Sequence, residues 1–170
     1  MLSIRLILPI FLLFLFTVRL SAQIVAFGAS NVSGAGVEAS QAWPAQLEAL
    51  LQTKGYHVHV FNAGITGDTT ANMLKRVDSS IPNGTKIVIL DLSGGLFNDY
   101  KANIPREKGV ANLQEIAARL HKRGIKIIRE TTTQLPENLK QADKVHLNTA
   151  GHQELAKQLL PSVIQDLTTS

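Results

Sequence analysis

Beyond residue 22 the chain alternates short apolar runs with longer stretches whose apolar residues recur at every third or fourth position. The first run, Ile24 to Phe27, has the length of a buried strand. Leu47, Leu50 and Leu51 then fall at helical spacing within 40–54, and Gly55 ends that segment. The pair repeats: "VHVFNAG" (58–64) reads as a strand ending in a turn, and Asp68 or Thr69 can cap a helix carrying Met73, Leu74 and Val77 on one face. "KIVILDL" (86–92) is almost continuously apolar, the pattern of a strand buried on both faces of a parallel sheet. Val110, Leu113, Ile116, Ala117 and Leu120 form a helical stripe over 106–123 closed by Gly124, and "IKIIRE" (125–130) supplies a fourth strand. Residues 131–142, "TTTQLPENLKQA", are polar and turn-like. A last helix starts near Asn148 or Thr149, with Leu155, Leu159, Val163 and Ile164 inward and a kink expected at Pro161.

This order predicts an α/β fold: an open, mostly parallel sheet of four to five strands between two helical layers, with right-handed crossovers. In such sheets ligands and chemistry gather at the carboxyl ends of the strands. There Ser30 follows the first strand, Asn62 and Gly64 follow the second, Gly94, Gly95, Asn98 and Asp99 follow the third, and Asp143 and His146 precede the last helix.

Composition narrows the classes. The 170 residues suffice for one domain with one sizeable core. Residues 1–22 stand apart: Arg5, the apolar run "LILPIFLLFLFTV", then "RLSA", the layout of a secretory signal peptide. The run is short for a bilayer span. Leu20 is larger than cleavage sites prefer, which leaves a retained anchor as the alternative. The expectation is a leader over 1–22, a single domain over 23–170, and a secreted or periplasmic product without stable membrane insertion after cleavage. The whole chain carries 17 basic and 13 acidic residues, and both arginines of the leader leave with it, so the mature domain is formally +2. Near neutrality and the lack of basic clusters interleaved with aromatics argue against a nucleic-acid partner. No cysteine is present, which excludes disulfides and thiolate chemistry.

The stretch "FGASNVSGAG" (27–36) packs three glycines and two serines behind the first strand. A phosphate-cradling Walker loop fails because Gly34 is followed by alanine, not lysine. A dinucleotide fingerprint fails because Gly34-Ala35-Gly36 leads to Ala39. A Gly-x-Ser-x-Gly elbow fails because position 32 is Val. A serine, a histidine and a carboxylate on one rim are the parts of a nucleophilic triad, and glycine-turn N–H groups with an asparagine amide are common oxyanion donors.

The stretch "AFGASNVSGAG" resembles the first signature block of the GDSL, or SGNH, hydrolases. "NAGITGDTT" is similar to their second block and "DKVHLNTAGH" to their Asp-x-x-His block, in a spacing that covers nearly all of the mature chain. The resemblance implies a flavodoxin-like three-layer fold and hydrolysis of small acyl, aryl or acylated sugar or lipid esters or thioesters through an acyl-serine intermediate. It makes Ser30 the nucleophile, His146 the general base and Asp143 its orienter, with the N–H groups of Ser30 and Gly64 and the Asn98 amide as oxyanion hole. It implies no metal and no cofactor. Three departures accompany it. Ala29 replaces the usual aspartate, "SGGLFND" spreads the third block so that Asn98 is displaced, and only 12 residues separate Glu130 from Asp143, predicting a trimmed cleft with a missing or vestigial fifth strand. These departures motivate the alternative of a catalytically impaired secreted binding domain on the same fold.

Other polar residues have plainer readings. His57 and His59 alternate with valines on a half-exposed strand without a third metal ligand. His152 lies in the final helix, where it competes weakly with His146 as base. Trp43 and Pro44 read as packing and a helix-start proline.

Overall fold

The computed structural model describes residues 24–169; the leader expected over 1–22 lies outside them. Four strands form a wholly parallel sheet in the order β2-β1-β3-β4: β1 (Ile24–Gly28), β2 (Val60–Gly64), β3 (Ile87–Asp91) and β4 (Lys126–Glu130). The helices are α1 (Ser30–Ser33), α2 (Trp43–Thr53), α3 (Thr70–Ser80), α4 (Gly94–Lys101), α5 (Arg106–Lys122) and α6 (Thr149–Thr168).

Strand periodicity divides the core in two. Ile24, Ala26, Ile87 and Ile89 face Trp43, Leu47, Leu155 and Leu159 of α2 and α6. Their neighbours Val25, Phe27, Val88 and Leu90 face Met73 and Val77 of α3 and Leu113 and Ile116 of α5. Burial of both faces is why β1 and β3 read as continuous apolar runs. Helix ends follow local chemistry. The Thr69 hydroxyl accepts from Asn72 N and starts α3, the Asn148 side-chain Oδ1 accepts from Gly151 N and starts α6, and Pro44 sits in the first turn of α2. α6 continues through Pro161, which lies on its exposed side.

Two features differ from the reading of the sequence. Residues 94–101, which the reading of the sequence placed in no element, form helix α4, whose first N–H, that of Gly94, is taken by Asp91 Oδ1 at the end of β3. The segment beginning at Ser40 is helical in earnest only from Trp43, after a single 3-10 turn at Ala39–Gln41. No fifth strand occurs among the described residues. The short 131–142 connection leaves β4 as the sheet edge, with only a 3-10 turn at Glu137–Leu139 and a bridge between Lys140 and Leu147.

The chain runs from β1 outward to β2, then returns across β1 to β3 and on to β4. The strand order therefore reverses between β1 and β3, and a crevice opens at their carboxyl ends. Ser30 follows one of those ends and Asp91 closes the other.

Candidate active site

Ser30 opens α1, directly behind the last residues of β1. A Cβ at Gly28 would collide with Asp91 and Val32, so only glycine lets β1 approach β3 this closely at its end. The next residue, Ala29, is fully buried. Its N–H donates to Asp91 Oδ2 at 3.1 Å, while Ser93 N, Gly94 N and the Ser93 hydroxyl donate to Asp91 Oδ1 at 2.8, 2.9 and 3.0 Å. One carboxylate thus ties the serine turn to the start of α4. Asp91 escaped the reading of the sequence because it lies within an apolar run; the signal was a lone carboxylate in that run, followed by Leu-Ser-Gly-Gly.

As the first residue of a helix, Ser30 has a backbone N–H without an intrahelical partner, and no other described residue accepts from it. Ser30 is buried to 8% exposure, and its hydroxyl makes no hydrogen bond among the described residues.

Asp143 and His146 form a closed unit. Asp143 Oδ1 accepts from Val145 N at 2.9 Å and from His146 N at 3.0 Å, and Oδ2 lies 2.5 Å from His146 Nδ1. The bond to the imidazole, reinforced by the two N–H groups, holds the Asp143 carboxyl down at about 2. Lys144 takes the left-handed conformation (φ 59°) that folds the turn back on itself.

Asn31 brings this unit to the serine. Its Oδ1 accepts from Leu147 N at 2.9 Å and its Nδ2 donates to Val145 O at 3.3 Å, so the residue after Ser30 grips both neighbours of His146. Gln141 adds a second stitch, donating from Nε2 to Ala35 O and Leu147 O at 2.8 Å each. Asn31 and Gln141 carried no motif signal, since the contacts that join α1 and its loop to the last turn, Asn31 to Leu147 and Gln141 to Ala35, span more than a hundred residues.

Of the other expected donors, Gly64 is engaged and Asn98 is engaged through one of its two amide hydrogens. The Gly64 N–H donates to Asn62 Oδ1 at 2.9 Å, and a Cβ at Gly64 would strike Val32 and Ser33, which explains the glycine by packing alone. Asn98, in α4, donates from Nδ2 to Asp68 O at 2.8 Å, and its second amide hydrogen is uncommitted. In the same turn Gly67 has φ 84° and a backbone N–H without a partner among the described residues. Its neighbour Thr66 is 2.9 Å, hydroxyl to hydroxyl, from Ser33 of α1. Arg76 braces this rim: it pairs with Asp68 at 2.6 Å, donates to Ala63 O and Gly28 O at 2.9 Å each, and lies 4.3 Å above the Phe27 ring.

The remaining candidates take structural places. His59 pairs with Glu48 at 2.8 Å, and no cluster of three potential metal ligands occurs among the described residues. His152 is fully buried and accepts from Trp43 N at 3.2 Å, capping α2. Burial, with a smaller push from His146, lowers its pKa to about 4. Glu130 lies directly across from Asp91 in register, 2% exposed, with neither carboxyl oxygen hydrogen-bonded. Burial first, and the Asp91 charge second, raise its pKa well above the carboxylate range.

The fold is that of α/β/α proteins with a parallel sheet, and the sequence profile of the GDSL-like lipase/acylhydrolase family matches residues 26–144. The chain belongs to that family. Esterase TesA of Pseudomonas aeruginosa is 31% identical over 128 residues, which are 74% of this chain and 62% of that protein's length. An arylesterase of Vibrio mimicus is 25% identical over 153 residues, 88% of this chain and 74% of the relative. Among solved structures, a crystal structure of TesA superposes with a TM-score of 0.74 at 21% identity, covering 84% of this chain and 98% of the other, and shares the fold.

Proposed function

We propose that this chain is a serine-dependent carboxylic ester hydrolase acting on small acyl, aryl or acylated sugar or lipid esters, with Ser30 as nucleophile, His146 as general base and Asp143 as its orienter. The observation that carries the reading is the Asp143–His146 pair at 2.5 Å, bound through Asn31 to the turn that presents Ser30. Asp143 fixes the Nδ1–H tautomer, leaving Nε2 to accept the Ser30 proton as the hydroxyl oxygen attacks the ester carbonyl. The oxyanion that forms is stabilised by the N–H groups of Ser30 and Gly67 and by the second amide hydrogen of Asn98. Gly67 replaces Gly64 in that role because the Gly64 N–H is spent on Asn62. Collapse expels the alcohol with the proton held on His146. Water, deprotonated by the same imidazole, then releases the acid and restores Ser30. The free Ser30 hydroxyl is compatible with a site whose catalytic hydrogen bonds tighten only on substrate binding. The leader over 1–22 supports export to a secreted or periplasmic location.

Mature protein incubated with p-nitrophenyl acetate and a fluorophosphonate is expected to turn over the ester and to carry one adduct on Ser30. Ser30→Ala should abolish both while leaving the melting temperature within a few degrees. Absence of turnover and of adduct in folded protein would overturn the proposal in favour of a binding domain on this fold.

A further inference from the structure

Asp91 and Glu130 end adjacent strands and stand side by side in register. Both project from the sheet face that carries α2 and α6, since Ile89 and Ile128, two residues earlier on each strand, pack into that core. They are 1% and 2% exposed, so two carboxyl groups share a site that water does not reach. Their surroundings are unequal. Asp91 accepts from Ala29 N, Ser93 N, Gly94 N and the Ser93 hydroxyl, whereas neither Glu130 oxygen has a partner among the described residues. Adjacent carboxyl groups removed from water do not both ionise, and the proton goes to the one without donors.

No cation on this face alters that division. Lys126, two positions before Ile128 on the same side of β4, is committed to Asp166 of α6 at 3.7 Å, and Glu48 of α2 to His59 at 2.8 Å. His152 of α6 accepts from Trp43 N and, with its pKa lowered to about 4, is neutral above that pH. In the last turn His146 is paired with Asp143, and Glu137 of the connection after β4 with Lys144. The charge that bears on Glu130 is that of Asp91. We infer that Asp91 and Glu130 form a two-carboxyl, one-proton pair, and that the proton held by Glu130 keeps the turn bearing Ser30 in place. Loss of that proton sets a second negative charge beside Asp91 with no donor to take it, so the strand ends must part or take in water. The bond from Ala29 N to Asp91 Oδ2, at 3.1 Å, is the contact that holds the serine turn and the one this movement breaks. The disturbance reaches the base as well. The Ser93 hydroxyl that donates to Asp91 is 3.3 Å from Thr132 Oγ1, which accepts from Asn31 Nδ2 at 3.4 Å, and Asn31 holds both neighbours of His146. Glu130 is thus a positioning residue. Its effect on turnover rests on the Ser30 reading, whereas its effect on the turn does not.

The test follows two quantities from neutral to alkaline pH in full-length wild type, Glu130→Gln and Glu130→Leu: amide hydrogen exchange at Ala29, corrected for the intrinsic rise with hydroxide, and kcat on p-nitrophenyl acetate. In wild type, Ala29 protection and kcat should fall together, about tenfold per pH unit once Glu130 ionises, while far-UV circular dichroism stays native. Both should stay level with pH in Glu130→Gln and Glu130→Leu, which cannot take the second charge. The infrared C=O band of a protonated carboxyl, present in wild type at neutral pH and absent from Glu130→Gln, should vanish over the same interval. Equal profiles in wild type and both variants, or no protonated-carboxyl band at neutral pH, would overturn the inference. Loss of Ala29 protection confined to wild type, with no ester turnover in any of the proteins, would uphold the pair and count against Ser30 catalysis alone.

Discussion

Asp91→Asn isolates the carboxylate that ties the serine turn to the start of α4. The carboxylate is 1% exposed and accepts four hydrogen bonds between 2.8 and 3.1 Å. Asparagine fits the same volume. If its oxygen keeps the Ser93 and Gly94 groups, its NH₂ faces the Ala29 N–H, donor against donor. The lost bond to a charged acceptor is worth about 1.5–3 kcal/mol, and the retained bonds weaken because charge-assisted hydrogen bonds are roughly twice as strong as neutral ones. Removing the negative charge opposite buried Glu130 offsets part of this. A net loss of about 2–3 kcal/mol follows, or roughly 5–10 °C in melting temperature for a domain of this size. Because the Ala29 N–H anchors the turn bearing Ser30, kcat on p-nitrophenyl acetate should also fall, about 10- to 100-fold, with KM nearly unchanged. Thermal melts and steady-state kinetics on the same preparation read both effects. Wild-type melting and wild-type kcat in Asp91→Asn would refute the assignment of Asp91 as the support of the serine turn.

Asn31→Ala should lower kcat by one to two orders of magnitude with little change in KM, since it frees both neighbours of His146 while leaving Ser30 in place; kinetics across pH check it. Glu130 is held neutral in the fold while its unfolded counterpart ionises. Its contribution is therefore present below the unfolded carboxyl pKa and lost as pH rises toward the raised folded value, at up to about 1.4 kcal/mol per pH unit. Glu130→Gln should accordingly be more stable than wild type at pH 8 in urea denaturation, with the gap closing toward pH 4. His152 has the opposite slope. With its pKa lowered from 6.5 to about 4, stability is full above pH 6.5 and falls by on the order of 3 kcal/mol as pH drops to 4. His152→Gln should lack that loss in pH-dependent melts.

Periodicity alone was enough for the four strands, for α3, α5 and α6, and for the parallel three-layer arrangement. Apolar residues at spacing two or three to four can be buried together only one way. The Asp143–His146 pair was legible for a similar reason: three residues apart, they meet within one turn. What the sequence could not express was every contact made between elements distant in the chain. That the Gly64 N–H is taken by Asn62 while that of Gly67 is free depends on the path of one turn against α1. Asn31 holds residues 145 and 147, and Asp91 accepts from Ala29 N, because the sheet brings β1, β3 and the last loop to one rim. Short-range pattern decided which segments are strands and helices; only long-range packing decided which side chain supports which.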